Sequence, residues 1–172
     1  MMRMTAGLAR FSVLGMLLVA SSAHAQATKE QATLAAQMKG AKHVALADAV
    51  ASATSSGKPI SARYEYEDKK LKLSVFVEKD GAFSEIFFDH MTGKVATVDK
   101  ITGGEDLKEA KTESKAFAKA KVTLAAALEK ALAANAGYTA VEVVPMLEGG
   151  KPVAEITLMK DGQFKSVSEP LG

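Results

Sequence analysis

The chain has 172 residues, with 22 basic and 20 acidic side chains, three histidines and no cysteine. Without cysteine it forms no disulfide and offers neither a thiolate nucleophile nor a thiolate metal ligand, so packing alone has to stabilise it. Arg3 and Arg10 account for the whole excess of positive charge, and the sequence beyond them carries 20 residues of each sign. A neutral chain lacks the basic stripe that neutralises phosphates, which argues against a nucleic-acid partner.

Residues 1–25 read as a secretory signal peptide: Arg3 and Arg10 at a basic start, an apolar run from Phe11 to Ala20, and the small-x-small ending Ala23-His24-Ala25. The apolar run is about half the length of a membrane-crossing helix, so cleavage before Gln26 is expected, with no membrane span afterwards and a periplasmic or secreted location. Residues 26–42 form a polar, alanine-rich leader in which Leu34 and Met38 share a helical face; it is expected to be helical or frayed.

A first module is expected over residues 43–101. Val44, Ala47, Val50 and Ala51 follow helical spacing until the Ser55-Ser56-Gly57-Lys58-Pro59 cluster ends the helix. The period then changes to two: Ile60, Ala62, Tyr64 and Tyr66 alternate with Ser61, Arg63, Glu65 and Glu67, as in a half-buried antiparallel strand. Leu71, Leu73, Val75 and Val77 repeat the pattern beyond a polar turn, the Asp80-Gly81 hairpin signal leads into Phe83 to Asp89, and a short strand over Lys94 to Val98 follows Gly93.

Residues 102–121 read as a linking helix, with acidic residues leading, lysines trailing, and Leu107, Ala110 and Phe117 on one face. A second module is expected over residues 122–172. Leu124, Ala125, Leu128, Ala131 and Leu132 make an apolar helical stripe that Asn135 and Gly137 terminate. Strands then run over Tyr138 to Leu147, Pro152 to Lys160 and Gln163 to Val167, and Pro145 predicts that the first of them is an edge strand or carries a bulge.

The two modules share a sequence. Lys79-Asp80-Gly81-Ala82-Phe83 returns as Lys160-Asp161-Gly162-Gln163-Phe164, and Val44, Leu46, Ala47 and Ala49 return as Val122, Leu124, Ala125 and Ala127. The fold class expected is therefore α+β, two repeated modules, each a helix packed on a small antiparallel sheet, with a shared interface because each half alone is marginal in size.

The order of helix, hairpin, third strand and Asp-x-x-Thr-Gly before a short strand, standing here as Phe87-Phe88-Asp89-His90-Met91-Thr92-Gly93-Lys94-Val95, is similar to the pattern of the PepSY family. The likeness runs from Val44 to about Ile101; the second module has no Asp-x-x-Thr-Gly after Phe164, so the chain resembles a tandem PepSY protein with a divergent second copy. The resemblance implies a small helix-on-sheet fold, an exported or envelope location, and a non-catalytic binding or regulatory role, of which peptidase inhibition is one form.

Few residues suggest chemistry. Asp89 with Thr92 and Gly93 is read as a strand-to-strand corner, the carboxylate accepting backbone hydrogens and glycine taking the left-handed conformation. His43 and His90 lie far apart in sequence and are read as ordinary surface histidines. Glu65, Glu67, Asp68, Glu85 and Asp89 offer oxygen ligands from neighbouring strands, the weaker alternative of a carboxylate metal site, but Arg63, Lys69, Lys70 and Lys72 interleave with them and favour a solvated mixed-charge face. No Gly-x-Ser-x-Gly elbow or phosphate-cradling glycine loop occurs, so neither an enzyme nor a cofactor is expected. Phe76 and Phe87 fall opposite the face made by Leu73, Val75, Ile86 and Phe88; either the other module or the linking helix covers them, or they form an exposed patch for a peptide, protein or envelope partner.

Overall fold

Four two-residue turns, each with both residues at positive φ, set the register of the sheet: Asp68-Lys69, Asp80-Gly81, Gly149-Gly150 and Asp161-Gly162. Such turns match the twist of paired strands and make tight hairpins. The computed structural model describes residues 28–172, so the export signal expected over residues 1–25 lies outside the described residues. Along the chain run α1 (Lys29–Met38), α2 (Leu46–Ala53), β1 (Lys58–Glu67), β2 (Lys70–Lys79), β3 (Ala82–Phe88), β4 (Val95–Ile101), α3 (Gly104–Phe117), α4 (Leu124–Ala134), β5 (Thr139–Glu148), β6 (Lys151–Lys160) and β7 (Gln163–Pro170). No described helix is long and apolar enough to cross a membrane.

The architecture is mixed α+β, and the strands form one antiparallel sheet of seven in the order β4-β3-β2-β1-β5-β6-β7. This replaces the expected pair of small sheets. β1 and β5 would each have been an open edge, and pairing them removes two unsatisfied backbone rows at once. The join is short, consisting of Ala62 opposite Val143 and Arg63 opposite Glu142.

That short join also explains Pro145. β5 is not an edge strand, and its bulge falls between Ala140 and Glu142 rather than at the proline. Pro145 lies opposite Ala154 of β6 but beyond the two pairs that hold β5 to β1, where a missing N–H leaves no ladder incomplete.

Strand alternation gives the sheet two faces. On one, α2 and α4 lie against each other and against the strands. Their buried residues, Leu46, Ala49, Val50 and Ala53 in one and Leu124, Ala127, Leu128 and Ala131 in the other, recur at three- and four-residue spacing. They meet Leu73, Val75, Val143, Ile156 and Leu158 in a continuous core. The alanines allow this close approach of two helices.

On the other face α3 crosses β1, β5 and β6 and buries Ala110, Glu113, Ala116 and Phe117. Of the leader, residues 28–42 are described and include α1. Thr28 and Gln31 form a reciprocal capping box at the start of α1, and Leu34 and Met38 bury its inner side against β1 and β2. At the other terminus Leu171 is fully buried, its carbonyl accepting from the backbone of Lys121 and Val122 while its own N–H donates to Pro152. The chain end thus ties the entry of α4 to β6.

Candidate functional site

A groove of about 650 Å³ opens on the α3 face of the sheet. Residues of β1, β5, β6, β7 and α3 line it, together with Glu30, Gln31 and Leu34 of α1. Val144, Met146 and Phe164 supply apolar surface. Of the ionisable side chains around it eight are carboxylates and two, Arg63 and Lys108, are cations.

Arg63 organises this face. It points from β1 toward α3 because alternation sends Ala62 and Tyr64 toward α2, where the Tyr64 hydroxyl donates to the Val44 carbonyl at 2.6 Å. Its guanidinium lies 3.5 Å from Glu65, 3.6 Å from Glu113 and 3.8 Å from Glu109. Burial opposes the charge on Arg63, but Glu65, Glu113, Glu142 and Glu109 outweigh burial and its pKa rises. Glu113 is itself buried and accepts from the Ser61 hydroxyl at 2.6 Å, so helix and strand are tied by one carboxylate.

The outer carboxylates are less well compensated. Burial raises the pKa of Glu142, with Arg63 and the Thr157 hydroxyl opposing it; the hydroxyl donates at 3.1 Å. Burial likewise raises Glu155, against a hydrogen bond from Ser166. Glu85, on β3 beside the groove, is pushed up to about 7 by burial, with Ser74 donating to it. One cation serves several acids, so the open side of the groove is an environment that favours a further positive charge.

The candidates singled out from sequence are placed as follows. Phe76 is 2% exposed and lies under the Arg63 guanidinium, so it forms no patch for a partner. Phe87 is half-buried, opposite Ser74 and Thr97. Of the five carboxylates, Glu65 belongs to the Arg63 network and Glu85 lies close enough to feel its charge. Glu67 and Asp68 pair instead with Lys72. Asp89 accepts at one oxygen from Met91 N, Thr92 N and Thr92 Oγ1 at 3.1, 2.7 and 2.9 Å, and these bonds lower its pKa. The five do not converge, and no group of three or more ligating side chains does among the described residues.

Two features escaped the sequence reading. Glu113 sits between Ala110 and Phe117 on the buried stripe of α3, and a charge on an apolar stripe is a signal that a buried partner exists. His43 and His90 offered no such signal; they are 47 positions apart, yet their Nδ1 atoms stand 3.0 Å from each other.

Comparison of the chain with family models, with curated proteins and with solved structures finds no match.

Proposed function

We propose that this chain is an exported, non-catalytic binding module that holds a basic segment of a peptide or protein partner in the groove beneath α3. The observation that carries the reading is the imbalance of eight carboxylates to two cations around a groove to which Val144, Met146 and Phe164 add apolar surface. Lysine and arginine side chains fit such a surface well, their stems lying on Val144, Met146 and Phe164 while their charged ends meet Glu142 and Glu155. Blocking a basic stretch of an envelope peptidase is one form this takes, in keeping with the PepSY-like pattern around Asp89 to Val95.

The same reading takes α2 with β1–β4 and α4 with β5–β7 as two copies of one ancestral unit, joined through β1 and β5. It is supported by the two Lys-Asp-Gly-x-Phe turns, each of which connects the second and third strands after its helix.

The test is fluorescence anisotropy with two labelled peptides, one alternating lysine with valine and one alternating glutamate with valine. Binding of the basic peptide, weakened about tenfold by Glu142→Lys together with Glu155→Lys and by raised salt, is expected. Equal binding of both peptides, or no effect of the charge reversals, would overturn the reading.

A further inference from the structure

We infer that the contact between His43 and His90 is an acid-sensitive latch that fixes α1, and so regulates the groove that α1 helps to line. The inference rests on the groove reading only for its functional consequence; the latch itself stands on the geometry of the histidine pair.

His43 lies in the connector between α1 and α2, and His90 belongs to the corner between β3 and β4. Their rings tilt at 44° with centroids 5.1 Å apart. The backbone clamps the same two segments together, because Val44 N donates to the His90 carbonyl at 2.9 Å. The corner is fixed in turn by the Asp89 carboxylate and its three internal hydrogen bonds. The latch therefore joins a rigid corner to the single connector that carries α1, whose Leu34 lines the groove.

Proton positions make the contact sensitive. Two Nδ1 atoms at 3.0 Å require one ring to donate and the other to accept. His43 Nε2 is buried without a hydrogen-bond partner. One added proton leaves the contact in place, because an imidazolium Nδ1–H still donates to the lone pair of the other ring's Nδ1. A second proton sets N–H against N–H, which removes the bond and leaves two cationic rings in contact.

The groups facing the pair offset this charge only in part. Tyr64 of β1 presents its ring edge to His43 with centroids 6.2 Å apart, and burial pushes its phenol pKa up, so it stays neutral. The Asp89 carboxylate attracts charge on His90, but it does so from an exposed position where solvent screens it. From α1 the Met38 carbonyl faces His43 and favours its charged form, yet burial and His90 prevail and the His43 pKa is lowered. A lowered folded-state pKa means that the stabilisation is fully present above about pH 6.5 and is lost as the pH falls through that depressed value.

The experiment is hydrogen exchange of the full described chain at pH 7.5 and pH 5.5, corrected for the intrinsic pH dependence of exchange and read at the amides of α1. In the wild type, protection of α1 should fall severalfold at the lower pH, while the amides of β5 and β6 keep theirs. In His90→Gln and in His43→Gln this pH difference should vanish; the second variant guards against a fold defect in the first. Unchanged α1 protection in the wild type, or the same loss in both variants, would overturn the latch. No ligand takes part, so this outcome is independent of whether the groove binds a basic peptide.

Discussion

The guanidinium carbon of Arg63 stands 4.9 Å above the ring of Phe76, so a charge that alternation assigns to a solvated face caps an aromatic ring that it left free for a partner. Both residues are buried, and Glu113 of α3 completes the stack from above. The groove accordingly lies over β1, β5, β6 and β7 and has no lining from β2. Arg63→Met keeps the stem over Phe76 but strips Glu113 of its counter-charge. It should cost about 3 kcal/mol at pH 7 in urea denaturation. Adding Glu113→Gln should restore part of that loss, because the uncompensated carboxylate is then gone.

Glu85 gives the stability curve a slope opposite to that of the histidine latch. Its carboxyl, at about 7 in the folded state, has an ordinary value of 4.5, so between these pH values the folded protein holds a proton that the unfolded chain releases. Stability from this group therefore rises as pH falls from about 7 to 4.5. Glu85→Gln should stabilise the protein at pH 8 by about 2 kcal/mol, a figure discounted for partial solvation, with the gain fading toward pH 4.5. Parallel denaturation series of the two proteins across this range check it.

The corner that carries His90 depends on Gly93, whose φ is +72°. A Cβ there would lie 3.5 Å from Val44 Cγ2, which is ordinary contact, so the cost of Gly93→Ala is the left-handed backbone itself. A loss of about 1–2 kcal/mol is expected in urea denaturation. The Asp89-to-Thr92 hydrogen bonds should persist, visible as retained slow exchange of the Thr92 amide.

Leu171 makes the carboxyl end structural. Leu171→Ala should remove about 2–5 kcal/mol, the usual effect of emptying a fully buried leucine site. Calorimetry should show the loss as a lower Tm. Hydrogen exchange should rise first at Lys121 and Val122, which donate to its carbonyl.

The elements themselves were legible because each depends on local patterns. Alternation marked β1 and β2, turn residues marked the hairpins at Asp80-Gly81 and Asp161-Gly162, and the stripe from Leu124 to Leu132 marked α4 to within a few residues. The polar leader was harder: two apolar residues in α1 leave helix and frayed coil close in energy, and Leu34 and Met38 decide it only by finding a core to enter.

What tertiary structure alone decided is which elements share a surface. The join of β1 to β5 rests on two residue pairs with no local signature, yet it turns two sheets into one and lays the groove across the seam. Placing α3 over Ser61 and Arg63 converted a mixed-charge strand face into a buried ion network, and the β3–β4 corner brought His90 to His43. Propensity and periodicity act over a few residues, so sequence settles local conformation. Contacts between residues tens of positions apart follow from the burial of whole faces, which no short stretch of the chain encodes by itself.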